Sequence, residues 1–146
     1  MADAIDIAVR LCMEFEGLRH APYICPAGVP SIGYGSTFYE DGKLVTLEDP
    51  EITTQRAMLL LRSQLDLVYL PGVLKASPSL TGERLGAIVD FAYNLGVTRY
   101  RASTLRKRVD VEDWDGAKEE IVKWTRAGGR ILPGLVRRRA AEAAFL

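Results

Sequence analysis

Glu16, Cys25 and Ser31 fall within one turn-rich stretch, EFEGLRHAPYICPAGVPSIGYGST, residues 14 to 37. A carboxyl, a thiol and a hydroxyl held this close can move protons and hold water. Cleavage of a glycosidic bond needs such a set: a proton for the leaving oxygen, and a second polar group that activates water or attacks the oxocarbenium-like carbon. Glu16 is the candidate acid. It stands where a helix-like segment runs into Pro/Gly-rich chain, and a cleft between helix and sheet would partly desolvate it and favour the protonated form such an acid needs. Taken singly, a glutamate at a helix end is most often a surface charge, and a cysteine in a turn is a small half-buried apolar residue.

The elements that must position these groups follow from periodicity. AIDIAVRLCMEF, residues 4 to 15, places Ile5, Val9, Cys12 and Leu11 or Phe15 near one helical face, and Gly17 stops the helix after Glu16. From Tyr23 to Thr46 the prolines and glycines forbid a long helix, and Asp41-Gly42 between STFYE and KLVT reads as a hairpin turn of a small antiparallel sheet. Asp49-Pro50 reads as the cap and first turn of a helix that ends before Pro71-Gly72 and is long enough to join two lobes. TGERLGAIVDFAYNLG is apolar almost all round and predicts the buried central helix. Trp114, Ala117, Ile121 and Trp124 recur at helical spacing before a Gly128-Gly129 stop, and LPGLVRRRAAEAAFL closes the chain as a basic helix. The fold class is therefore α+β, mainly helical. One domain over residues 1–146 is expected, with a β-rich lobe at about 17–48 and a helical lobe at about 51–146 that includes the N-terminal helix.

Composition narrows the classes. With 48% hydrophobic and 26% charged residues in 146, the chain can bury a core without disulfides or a structural metal. Cys12 and Cys25 are the two cysteines and His20 the one histidine, which suits free thiols, an ordinary surface histidine and no metal. No apolar run near the roughly 18 residues of a bilayer span and no export signal are read from the sequence. Before residue 73 stand 5 basic and 10 acidic residues, after it 14 and 9, so the net charge of zero hides a bipolar chain. The basic half would suit an anionic polymer, lipid surface or bacterial wall, or is simply a solvated surface.

Glu16, eight residues, Cys25, five residues, Ser31, followed by IGYG and preceded by EGLR, with Tyr23 between, resembles the active-site segment of phage lysozymes, the endolysins of glycoside hydrolase family 24. FAYNLG, STLRKRV and WTRAGGRILPGLVRRRAAE extend the resemblance over nearly the whole chain. It implies a muramidase with Glu16 as general acid, acting on peptidoglycan at the β-1,4 bond between N-acetylmuramic acid and N-acetylglucosamine. No cofactor and no nucleic acid partner are implied, and a monomer is expected. Cys25 falls where many members have aspartate, and Ser31 where most have threonine. An unperturbed thiol, with a pKa of about 8.5, is mostly neutral at pH 7, so Cys25 adds little charge unless its surroundings lower that value. Ser31 keeps the hydroxyl and loses a methyl.

The resemblance further implies Arg137 as the arginine set against Glu16, with the RRR run leaving the register open by one residue. It puts Tyr93 and Asn94 beside the sugar-binding cleft, where an amide suits an N-acetyl group. Gly33 and Gly35 read as close-packing or special-backbone positions. The expected course is a chain folded in the host cytoplasm, released through a holin-type pore to lyse the wall, with weak contact of the C-terminal basic helix with anionic membrane. Two alternatives stand beside it: a lytic transglycosylase, in which the muramic acid 6-hydroxyl replaces water, and a non-catalytic wall- or membrane-binding protein.

Overall fold

In the computed structural model, which describes residues 3–146, the Asp3 carboxylate accepts the Ile5 N–H at 2.7 Å and caps α1 (Ala4–Glu16). The cap satisfies an otherwise unpaired amide of the first turn. Ile5, Ile7, Ala8, Leu11 and Cys12 form the buried face of this helix, and Gly17 ends it in a left-handed conformation. The acid expected at a helix end is at one. The chain then turns into β1 (Arg19–Ile24), which pairs antiparallel with β2 (Pro30–Gly33). Beyond β2 the small lobe is held by isolated pairings, Ile32 with Ser36 and Phe38 with Leu44, the latter closed by the expected Asp41-Gly42 turn.

Asp49 does not cap the next helix. Its carboxylate is taken by the Thr46 amide and hydroxyl at 2.8 and 2.7 Å and by the Tyr39 hydroxyl at 2.7 Å, so it closes a turn of the small lobe. Thr53 caps instead, accepting from Arg56 N at 3.1 Å, and α2 runs Thr54–Gln64. Nor does the helix stop before Pro71. A π turn over Leu65–Tyr69 leads into α3 (Leu70–Ala76). Proline removes one helical hydrogen bond and its ring crowds the preceding turn, and one wider turn just upstream absorbs both. The resulting stretch, Thr54–Ala76, is 23 residues with a window of mean hydropathy 1.3, long and apolar enough by length and composition to cross a membrane, against the sequence expectation. In this fold it links the lobes, with Leu60, Leu61, Leu65 and Val73 buried in the core.

The central helix is α4 (Gly82–Leu95), with Leu85 through Ala92 buried. Burying side chains of the size of Ile88 or Phe91 contributes roughly 1.5–3 kcal/mol each. Phe91 packs edge-on against Tyr100 and Trp124, at centroid distances of 6.3 and 5.6 Å. Gly86 lets α1 lie directly on α4: a Cβ there would sit 2.6 Å from the Ile7 Cβ. Helices α5 (Val97–Ala102), α6 (Thr104–Asp110) and α7 (Trp114–Ile121) complete this lobe. Gly128-Gly129 is a hairpin turn rather than a helix stop. Both glycines have positive φ, which a tight two-residue connection requires, and they join β3 (Arg126–Ala127) to β4 (Arg130–Ile131).

The chain closes with α8 (Pro133–Ala143). The sequence expectation puts its basic face at the surface as a weak membrane contact. Arg138 and Arg139 are instead buried, at 3% and 0% exposure, and Arg137 alone of the three is exposed. Interior carboxylates account for this, since a buried guanidinium is tolerated only when paired.

Candidate active site

Antiparallel register and strand alternation bring the small-lobe groups together. Tyr23 stands opposite Ser31 in the β1–β2 pair, and Cys25, two residues beyond Tyr23, projects to the same side. A tight turn, closed by Gly28 N–H to Cys25 O at 2.8 Å and Cys25 N–H to Val29 O at 3.0 Å, joins the strands. All three side chains line a cleft of about 1010 Å³ between the lobes, as do Glu16, Tyr93 and Asn94. Of the predicted site residues, six of seven therefore meet in one cleft.

The seventh, Arg137, is corrected by one register step. Arg138 Nη1 donates to Glu16 Oε1 at 2.6 Å. Adjacent residues on a helix point about 100° apart, so in a run of three arginines one faces the interior edge and its neighbour turns away. Arg137 lines a smaller hollow of about 360 Å³ that Glu16 also borders. Arg138 is held from behind by Asp90 of α4, through Nε to Oδ2 at 2.9 Å and Nη2 to Oδ1 at 2.7 Å. Burial alone would weaken the hold of Arg138 on its proton. The hydrogen bonds to Asp90 and the charges of Asp90 and Glu16 outweigh it, raising the arginine above its ordinary value.

Sequence reasoning missed Asp90, which burial would raise but which the hydrogen bonds and charge of Arg138 bring below the ordinary carboxylate value. One acid within the apolar run AIVDFA was the available signal, because an unpaired charge is almost never fully buried. It also missed Arg139, whose Nη2 donates to Asn94 Oδ1 at 2.8 Å and whose Nε lies 2.8 Å from Glu142 Oε2. With its oxygen tied inward, the Asn94 amide keeps its N–H₂ for the cleft. Tyr93 is braced similarly, its hydroxyl donating to Tyr34 O at 2.6 Å. Burial first, then Glu16 nearby, raises Tyr93 well above an ordinary tyrosine, and Tyr23 is raised for the same reasons. Both stay neutral donors.

Gly35 explains why this loop carries glycine. It has φ of 92°, and a Cβ there would lie 3.1 Å from the Tyr93 hydroxyl and 3.9 Å from Glu16 Oε2. Alanine would cost backbone strain of about 1–3 kcal/mol and would crowd the acid. His20 is exposed, and its Nδ1 lies 2.9 Å from Ile52 O, where it ties β1 to the start of the linking helix.

The two thiols are tuned in opposite directions. The Val29 amide, then the Ala27 amide and the Ser31 hydroxyl, lower Cys25 below an ordinary thiol, against a small rise from burial. Burial, then the Asp90 carboxylate, push Cys12 well up, and it remains a neutral thiol whose sulfur lies 3.1 Å from Asp90 Oδ1. A lowered pKa means that the thiolate forms at lower pH. In the native chain Cys25 should be alkylated by iodoacetamide with a midpoint below that of a free cysteine, and Cys12 should react only on unfolding. Mass spectrometry of the labelled peptides across pH checks both; equal reactivity of the two would contradict the assignment.

A small sheet lobe, a linking helix and a helical lobe enclosing a cleft with one arginine-held carboxyl define a lysozyme-type glycosidase. The chain belongs to the phage lysozyme family, whose family model matches residues 13–142. It is 36% identical over 139 residues to the endolysin of Acyrthosiphon pisum secondary endosymbiont phage 1, covering 92% of this chain and 91% of that protein. It is 31% identical over 129 residues to the SAR-endolysin of Bacteriophage PS119, covering 87% and 73%. Among solved structures, the endolysin of Escherichia coli O157:H7 phage FAHEc1 matches with a TM-score of 0.80 at 30% identity, over 95% of this chain and 89% of that one. The protein is a peptidoglycan-hydrolysing endolysin, as the resemblance of its motifs implied.

Proposed function

We propose that the chain cleaves the β-1,4 bond between N-acetylmuramic acid and N-acetylglucosamine, with Glu16 as general acid and Cys25 and Ser31 holding the attacking water. The observation that carries this is the Arg138–Glu16 hydrogen bond at the cleft wall, facing a hairpin that presents thiol and hydroxyl together. Glu16 gives its proton to the leaving oxygen as that bond to the anomeric carbon breaks. Water on the opposite face, held by the Cys25 sulfur and the Ser31 hydroxyl, forms the new bond to carbon and releases a proton to the solvent of the open cleft. The Ser31 hydroxyl lies 3.0 Å from Val29 O and donates to it, which leaves its lone pairs to accept from the water. Asn94 supplies an N–H to an acetamido oxygen. One chain supplies every group, which supports a monomeric enzyme.

The Cys25 role predicts a graded series. Cys25→Ala, which removes the sulfur that holds the water, should clear permeabilised bacteria about 10²-fold more slowly, and Cys25→Asp should retain substantial activity because a carboxylate holds the same water. Full activity of Cys25→Ala would remove the thiol from the mechanism. Delivery from the host cytoplasm through a holin-type pore is part of the same proposal. Fractionation of cells making the chain with and without a co-expressed pore tests it, with periplasmic enzyme in the absence of a pore as the contrary result.

A further inference from the structure

Asp90 is a fully buried carboxylate that takes no part in lining the cleft, yet it accounts for two of the three nitrogens of the arginine that holds Glu16. We propose that Asp90 is a positioning residue for the acid: it clamps Arg138 in the orientation that meets Glu16, and it sets a counter-charge behind the guanidinium that Glu16 faces. An arginine standing alone beside a carboxyl favours the ionised form and would disarm a general acid. A carboxylate on the far side of the same guanidinium opposes that field, while the forked geometry keeps the hydrogen bond to Glu16 in place. The proposal rests on Glu16 acting as the acid.

The surrounding groups do not supply this balance. On α1, Cys12 stays a neutral thiol that spends its hydrogen on Asp90. On α8, Glu142 Oε1 lies 3.9 Å from Arg138 Nε but is engaged by Arg139, and burial with Asp90 beside it pushes its carboxyl well up. Tyr23 of β1, Tyr69 of the linking helix and Tyr93 of α4 are all raised by burial and stay neutral. Arg19 of β1 is spread over the Tyr23 ring, 4.8 Å from its centroid. Cys25 lies across the cleft on the hairpin. Glu14 of α1 and Arg137 of α8 border the smaller hollow that Glu16 shares, both exposed to solvent, and among the described residues Arg138 is the one charged side chain hydrogen-bonded to Glu16, with Asp90 facing it from behind.

The test is Asp90→Asn in the full chain, read two ways. The pH profile of wall clearing, with kcat and KM separated, follows the reaction, and thermal melting follows the fold. Asparagine keeps the shape and one acceptor but drops the charge. The alkaline limb of the activity profile should move to lower pH by about one unit relative to the parent. With that movement kcat at pH 7 should fall about tenfold, and KM should change little. A limb and kcat that stay in place while only thermal stability drops would make Asp90 a structural residue and overturn the proposal. Should Asp90→Asn not fold, Cys12→Ala gives the opposite reading: without the thiol hydrogen bond, more of the Asp90 charge faces Arg138, and the alkaline limb should move to higher pH, by less. No movement there would overturn it equally. Failure of the acid assignment itself is a separate outcome, seen as a Glu16→Gln protein that still clears walls.

Discussion

Glu16→Gln is expected to abolish the clearing of permeabilised bacteria, slowing it by about 10³-fold or more, while the protein stays folded. Proton donation by a positioned side chain is worth about 10²–10⁴ in rate, and the described residues lining the cleft offer no second carboxyl to replace it. Glutamine keeps an oxygen where Arg138 Nη1 now finds Glu16 Oε1 at 2.6 Å, so the arginine remains anchored on both sides. The substitution removes the transferable proton and little else. Turbidity loss reports the activity and circular dichroism the fold. Parent-rate clearing by a folded Glu16→Gln protein would remove the acid from the mechanism.

Arg138→Leu should be the most destructive single change outside the acid itself. The side chain is 3% exposed and its partner Asp90 is fully buried, so truncation leaves a carboxylate without its counter-charge in the core. Breaking a buried pair from one side costs about 3–5 kcal/mol, a large share of the stability of a chain this size. Linkage fixes the pH dependence of that cost. Asp90 is held below its unfolded value by Arg138, so the stabilisation is present at pH above the ordinary carboxylate value and is lost as pH falls through the depressed one. The gap in melting temperature between parent and Arg138→Leu should therefore be wide at neutral pH and narrow in acid. Arg138→Lys keeps the charge but cannot fork between Asp90 and Glu16, and it should lose activity out of proportion to stability. Arg137→Ala, at an exposed position, should change stability by no more than about 0.5 kcal/mol. Were Arg137→Ala the damaging change and Arg138→Leu the silent one, Arg138 would not be the arginine that meets Glu16.

Local signals were the readable ones. The end of α1 at Glu16 follows from apolar spacing and Gly17, and the central helix announces itself by being apolar all round, whereas the Glu16, Cys25, Ser31 set was legible through the family resemblance of its spacing and not through the β1–β2 hairpin that joins it. What escaped depends on partners far away in sequence. Nothing near Asp49 shows that Thr46 and Tyr39 take its oxygens, leaving Thr53 to cap the helix. Gly128-Gly129 suits a helix stop and a hairpin turn alike, and the pairing of Arg126 with Ile131 is what separates them. The arginine run was ambiguous because its three residues are chemically identical and differ only in helical phase. That phase is set by Asp90, 48 positions away, and Glu16, 122 positions away.

The proposed hydrolysis of the glycan by Glu16 and a hairpin-held water predicts a chemical signature, which mass spectrometry of the muropeptides released from purified peptidoglycan reads directly. Free, hydrated reducing ends on N-acetylmuramic acid are expected from the parent enzyme, with no release above background from folded Glu16→Gln. Anhydro-muramic ends, or release by Glu16→Gln at the parent rate, would refute that mechanism.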